Sequence, residues 1–596
     1  MKNFKSIRCV ALAFLAIIVS AGFGCTKKET LNGKVYLTVS RDNIKSADPT
    51  NAYDEVTLDV LQQIYETPYQ YNYFADETEV IPLLADGMPE VSKDKLTYTI
   101  RLKKGIRFQD DPCFKASGGK GRELKAQDLV YGWKRHADPA TESQGFWIWE
   151  GKIVGIDEFA AKFGKGRPAA EIMQDEVEGM KAIDDYTVQL KFKKPYPQLI
   201  YILTMTFTAP IPVEAITEYG KGFPTHPVGT GPFRATQWQP TSEIVLVKNE
   251  NYRDDFIPSS DKMGPKRRAQ FASEAGKKIP LLDAIRFTVV KEEQPRWLGF
   301  LKGKYDQIKI PKDNFDAAIE NLTQVKPELA KKGVTVSYEP SLIFWYASMN
   351  TEDPIMKNKY LRQAIASSID RDEWLKKFKN GRGSIQNEAN PPAIVDRCGK
   401  PYRWSYDLAR AKELLKKAGY PDGKGLPTLK WDTRNGEMTD RQIAEFVGRA
   451  LAQIGIKLEI NVNTFPAYLD KMKRKNLQMS KGGWNMDYPD AENSLGLLYG
   501  PNKSPGPNEA NFDNPEFNKI FEKMALMPPG PERRKLICQL EEIAQEEAPW
   551  AYGIFENEYR LINKWLKNYY TSEQIMNKYK YLDVDMAARE QFQNEG

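Results

Sequence analysis

The stretch Leu96-Thr-Tyr-Thr-Ile-Arg-Leu-Lys-Lys-Gly105-Ile-Arg-Phe108, joined by a glycine-rich loop to Leu124-Lys-Ala-Gln-Asp128-Leu-Val-Tyr131-Gly-Trp-Lys-Arg135, decides the fold of this chain. Its first half alternates strictly, with Leu96, Tyr98, Ile100 and Leu102 on one face. A period of two predicts a half-buried antiparallel strand. The second half abandons that period, and Lys125 to Arg135 is predicted as a helix. The alternation returns in Tyr186-Thr-Val-Gln-Leu-Lys-Phe192, which predicts a second strand of the same kind.

Working outward, Lys34 to Ser40, Ile244 to Val247 and Ile285 to Val289 read as strands, and Asp54 to Tyr65 as a helix. The Gly- and charge-rich piece 161–168 reads as loop. The Lys-rich span from Pro258 to Lys278 reads as a solvated insertion. Beyond residue 350 the pattern turns helical. Asp407 caps a helix carrying Leu408, Ala411, Leu414, Leu415 and Ala418, which Gly419 stops. Lys359 to Ile369, Asp440 to Ile454 and 532–547 are further helices, and Asn514-Pro515 opens another. Leu458 to Val462 returns to strand, so the back half is α/β behind an antiparallel-rich front.

The chain has 596 residues, enough for several domains. Its N-terminus, Met1 to Arg8 followed by an apolar run to Phe23, predicts a secretory signal over residues 1–24. Cys25 directly after Gly24 resembles a bacterial lipoprotein cleavage site, although Gly22 stands where that pattern prefers Leu. The formal charge is +6, and Lys2, Lys5 and Arg8 belong to the signal; without them 83 basic residues face 80 acidic ones, a balance of +3. Such near-neutrality gives no electrostatic case for nucleic acid. Past Cys25 only Cys113, Cys398 and Cys538 remain, enough for one disulfide and one thiol in a pairing the sequence leaves open. His136 and His226 are the only histidines, too few for a zinc site or a Ser-His-Asp triad.

Weighing the motifs gives no enzyme. Gly118-Gly-Lys-Gly121 and Gly229-Thr-Gly231 lack the spacing of phosphate or dinucleotide loops and read as turns, and no G-x-S-x-G elbow exists. The acid pairs Asp184-Asp185 and Glu541-Glu542 read as turns or solvated faces. Phe146-Trp-Ile-Trp149, Phe344-Trp-Tyr346 and Trp484 suit either a large amphipathic pocket or ordinary core. The loop Lys481-Gly-Gly-Trp484-Asn-Met-Asp487-Tyr-Pro-Asp490 offers open backbone beside one acid. By itself it is a strand end and a turn.

In order, Leu83-Leu-Ala-Asp86, Tyr98 to Phe108 and Leu124 to Arg135 resemble the signature of bacterial extracellular solute-binding proteins of the oligopeptide/dipeptide class. Val228-Gly-Thr-Gly-Pro-Phe233, Asn249-Glu-Asn-Tyr252, Leu361-Arg-Gln-Ala-Ile365, Ile369-Asp-Arg371 and the helix ending Lys417-Ala-Gly-Tyr420 are similar to later motifs of that class. The resemblance implies an α/β, two-lobed periplasmic-binding-protein-like clamp with an extra inserted subdomain. Its expected layout is a tether at 25–33, a discontinuous domain I at 30–65, 186–340 and 552–596, domain II at 66–185 and domain III at 341–551. It further implies a monomeric, lipid-anchored, periplasmic or cell-surface component of an ABC importer that hands peptides to a permease, without cofactor or metal.

In that class the peptide pairs as a strand with main chain of both lobes, which maps here to Tyr53-Asp54-Glu55 and Gly483-Trp484-Asn485. The ammonium anchor falls on Asp487, and the cation for the peptide carboxylate on Lys481, with Arg434 the alternative. Phe146, from the aromatic run that suits a large amphipathic pocket, is a further candidate ligand-binding residue. Competing readings keep the fold and change its use: an oligosaccharide, nickel-complex or haem carrier, or a surface adhesin or sensor.

Overall fold

The computed structural model describes residues 31–165, 168–394, 396–434, 438–572 and 574–595, so the signal segment and Cys25 lie outside the described residues. The two strands anticipated from strict alternation form and pair with each other. Thr97–Arg101 runs antiparallel to Thr187–Lys191, with Tyr98 opposite Leu190 and Ile100 opposite Val188. Their buried face meets the helix Ala126–Arg135 in a core that holds Leu129, Trp133 and Trp149. Asp128 accepts from the Lys125 amide at 2.8 Å and fixes the start of that helix.

A second sheet orders the strands Val35–Ser40, Ala284–Val289, Glu243–Lys248 and Phe233–Gln239, the first pair parallel and the others antiparallel. Its inner face, with Tyr36, Ile244, Leu246, Ile285 and Phe287, shares one core with Trp565 and Tyr579 from the C-terminal segment. The largest core, built on Phe344, Trp374, Trp431, Val447 and Trp550, belongs to residues 342–555. There the anticipated caps are present, since Asp407 accepts from Arg410 N at 3.0 Å and Asn514 from Phe517 N at 3.0 Å.

Two long strands tie these bodies together. Thr335–Met349 and Trp550–Ile562 pair antiparallel over most of their length and belong to the seven-stranded sheet. Near Ile562 they contribute to the cores around Trp565 and Phe300, and near Trp550 to the core of residues 342–555. Their register shifts between Pro340 and Phe344, where the chain passes from one body to the other.

Two readings change and one open question closes. Pro258 to Lys278 is not simply a solvated insertion: it contains the helix Pro265–Phe271, and Met263 and Phe271 are buried against Tyr73, Tyr570 and Tyr581. Within it Arg267 lies over the Tyr570 ring, 3.4 Å from the centroid. Glu541 does not lie on a solvated face but inside, accepting from Ala389 N at 2.7 Å and Tyr552 Oη at 3.0 Å. The open cysteine pairing resolves as Cys398–Cys538, which closes a separation of 140 residues, with Cys113 a buried thiol.

Candidate functional site

The site grows from the strand Met479–Asn485. Along one edge it pairs antiparallel with Thr335–Met349, setting Gly483 opposite Trp345 and Gly482 opposite Tyr346. Glycine is needed there because the rings occupy the space of a side chain. A Cβ on Gly482 would lie 2.1 Å from Tyr346, and one on Gly483 2.2 Å from Trp345. The other edge meets the Leu429–Arg434 strand only at Met479 and Ser480. From Lys481 to Asn485 that edge has no strand partner among the described residues, which leaves alternate amides and carbonyls open.

Past the strand the chain turns, and Asn493 organises the turn. Its side-chain oxygen accepts from Trp484 Nε1 at 3.0 Å and from the Asp487 amide at 3.2 Å, while its amide donates to Asp487 Oδ2 at 3.0 Å. Asp490 caps the helix Ala491–Leu495, accepting from Glu492 N at 2.9 Å, and is gripped by the buried Arg533, which also reaches Asp396 at 3.2 Å. Trp484 and Asp487 are therefore held in place from behind.

The opposite wall comes from segments remote in sequence. Tyr53 donates its hydroxyl to Asp487 Oδ1 at 2.5 Å and stacks on Phe207, with ring centroids 5.9 Å apart. Tyr488 packs into the core around Trp133 and stacks with Tyr201 at 6.1 Å, and Gln198 donates to Ala525 O at 3.0 Å. Between these walls lies a cavity of about 250 Å³, lined among others by Tyr53, Glu55, Tyr71, Phe207, Asn485 and Asp487. Both hydrogen-bond donors to the Asp487 side chain are neutral, and among the described residues no cation pairs with it. Enclosure raises its pKa above the ordinary carboxylate value, and the bonds from Tyr53 and Asn493 offset only part of that rise.

The remaining expected residues fall in different places. Gly483, Trp484, Asn485, Tyr53 and Glu55 lie at or beside the cavity, Glu55 paired with Arg41 at 2.7 Å. Tyr53 enters through its side chain. Asp54 is occupied as the cap of Glu55–Leu61, accepting from Thr57 N at 3.0 Å. Lys481 is not a free cation: it pairs with the buried Asp440 and its ammonium lies 4.3 Å from the Trp345 ring centroid. Arg434 sits over Tyr468, 5.3 Å from the ring centroid, and does not line the Asp487 cavity. Phe146 is not brought to that cavity either; its short 3₁₀ turn sets it against the Trp133 core, beside a separate depression with His136 and Ala160.

Sequence reasoning missed Asn493, Tyr71 and Phe207. Only Asn493 carried a local signal, as an amide six residues beyond the acid.

An acid whose side-chain donors are both neutral, set at a seam beside an open strand edge, suits the binding of a ligand rather than catalysis. Residues 79–506 match the model of bacterial extracellular solute-binding proteins, family 5, and the chain belongs to that family. It is a solute-binding protein, not an enzyme. Among its relatives, the oligopeptide-binding protein OppA of Bacillus subtilis is 27% identical over 581 residues, covering 92% of this chain and 94% of OppA. The glutathione-binding protein GsiB of Salmonella choleraesuis is 26% identical over 535 residues, covering 88% and 89%. The periplasmic binding protein DppA from Helicobacter pylori, solved in complex with the peptide STSA, superimposes with a TM-score of 0.68 at 23% identity over 92% of this chain and 98% of DppA. The family is extracellular, which places the folded chain outside the cytoplasm.

Proposed function

We propose that the chain is the peptide-binding component of an ABC importer, anchored by lipid on Cys25, which captures a peptide between its lobes and delivers it to a permease. The observation that carries this reading is Asp487: an enclosed carboxylate at the lobe seam whose side-chain donors are both neutral. Removing a charge from water without a counter-charge is costly, and a ligand ammonium supplies that charge. The open edge from Lys481 to Asn485 offers a peptide backbone the pairing it loses on leaving water, worth about 1–3 kcal/mol for each group otherwise left unpaired. Backbone recognition of this kind reads side chains loosely.

In this reading domain I comprises 30–65, 186–340 and 552–596, domain II 66–185 and domain III 341–551, and closure turns on the paired strands near Pro340 and Phe344. Relatives named for oligopeptides and for glutathione support a peptidic ligand over sugar, nickel complex or haem. Native mass spectrometry of the purified protein tests it. A ladder of heterogeneous peptide masses is expected, and a single oligosaccharide or metal-complex mass would refute it.

A further inference from the structure

One aromatic ring crosses between two bodies of the chain. Among the described residues, the core around Trp133 is built from residues 69–207 with a single exception, Tyr488. The neighbours of that tyrosine in sequence, Met486 and Ala491, belong instead to the core of residues 342–555. Its ring is 4% exposed and faces Tyr201 at an interplanar angle of 5°, with centroids 6.1 Å apart. Tyr488 is a plug carried by one body and seated in the other.

The plug is rigid at its base. Pro489 disfavours helical backbone at Tyr488. The Asp490 amide donates to Tyr488 O at 2.9 Å, and Arg533 grips Asp490. The hydroxyl stays with its own body, donating to Glu492 Oε2 at 2.5 Å. What crosses the seam is therefore the apolar ring, which can leave its socket without orphaning the phenol proton. Two further links flank it. Gln198, 2% exposed, donates to Ala525 O at 3.0 Å from the start of the helix Leu199–Ile202 that carries Tyr201. Lys152 and Glu492, both half-buried, attract each other across the seam. Burial raises the Glu492 carboxyl and lowers the Lys152 ammonium, and each charge offsets part of the other's shift. Every one of these contacts is made by the chain alone.

Asp487 directly precedes the plug, and Tyr53, its partner at 2.5 Å, stacks on Phe207 of the same core that receives Tyr488. Seating the ring therefore fixes where Asp487 stands against Tyr53. We infer that Tyr488 is a positioning residue for ligand capture: seated in its socket it draws the two bodies together before any ligand arrives, so that the unliganded chain rests mostly closed with Asp487 in place. The inference rests on the two-lobed peptide reading above. Entry and release both require the plug to leave its socket. It slows exchange while raising affinity, because only the closed fraction of the chain is competent to hold the ligand.

Small-angle X-ray scattering and stopped-flow tryptophan fluorescence on the full mature chain test it, with trialanine and hexaalanine as probes. Tyr488→Ala is expected to expand the unliganded chain and to regain the unaltered envelope at saturating peptide. It should bind peptide faster and release it faster still, with affinity lower by about tenfold if the closed fraction falls from most of the chain to roughly a tenth. Tyr488→Phe, which keeps the ring and loses only the bond to Glu492, should scatter like the unaltered chain. Tyr201→Ala removes one wall of the socket and should give the same shifts in smaller measure, which keeps the test decisive if Tyr488→Ala folds poorly. Unchanged scattering and rates in both alanine variants overturn the plug, and so does slower association, the mark of a merely damaged site. If the unaltered chain binds neither peptide yet Tyr488→Ala expands it, the plug stands and the peptide reading falls. If peptides bind but compactness does not depend on Tyr488, the peptide reading stands and the plug falls.

Discussion

Asn493 holds Asp487 at two points, donating to its Oδ2 at 3.0 Å and accepting from its backbone amide at 3.2 Å. The same oxygen takes the Trp484 indole N–H at 3.0 Å, so one side chain sets both the acid and the aromatic residue of the site. Asn493→Ala is expected to reduce peptide affinity about tenfold, on the order of 1–2 kcal/mol for lost bonds to a charged group. Asn493→Asp should be worse, since it sets a second carboxylate against Asp487 and favours protonation of the pair. Calorimetry on both variants decides it, and an Asn493→Asp chain that binds like the unaltered one would remove the positioning role.

Asp487→Asn is expected to weaken peptide binding more than tenfold while leaving the melting temperature of the free protein nearly unchanged. The neutral amide keeps the shape but loses the counter-charge for an ammonium. Because enclosure raises the Asp487 pKa, the anionic form is lost on acidification at a higher pH than for an ordinary carboxylate. Affinity should therefore fall as the pH drops through that raised value, and N-terminally acetylated peptides should bind poorly at any pH. Equal calorimetric affinities for acetylated and free peptides would sink the anchor.

Glycine at 482 and 483 is a packing requirement. With ideal Cβ atoms 2.1 Å from Tyr346 and 2.2 Å from Trp345, either alanine forces the strands apart or the rings off their rotamers. A destabilisation of about 1–3 kcal/mol is expected for each. Trp345→Ala should recover much of the loss in Gly483→Ala but none in Gly482→Ala, as read from urea midpoints. Equal rescue of both would show that the ring contact is not the cause.

What the sequence disclosed was local. Strict alternation around Tyr98 and Val188 gave two strands that pair, and Asp407 and Asn514 gave caps that form, because each depends on neighbours a few residues away. Pro258 to Lys278 misled because its two anchoring side chains, Met263 and Phe271, are sparse among lysines and meet a partner as remote as Tyr570. The open backbone and acid of the site were visible at Gly483 and Asp487. Phe207 and Tyr71 were not, since only closure of separate chain segments brings them to the cavity. The engagement of Lys481 by Asp440 was equally hidden, 41 residues away on another element.

Glu541 gives the protein a stability that falls with rising pH. Burial raises its pKa from 4.5 to about 8, and the neighbouring Glu388 adds to the rise. A raised carboxyl pKa means that the folded chain holds the proton the unfolded chain has released. Its contribution is complete below the unfolded value near 4.5 and erodes as pH climbs to about 8, above which it is lost. The slope across that window is about 1.4 kcal/mol per pH unit for one such group. Glu509, half-buried and with a pKa raised by desolvation to about 7, acts in the same direction, so Glu541→Gln should flatten the decline without abolishing it. Urea midpoints at pH 5, 6, 7 and 8 check this. The variant should lie closest to the unaltered chain at pH 5 and gain on it towards pH 8, because glutamine cannot ionise inside the core. Parallel curves for the two proteins would mean that Glu541 does not carry its proton in the folded state.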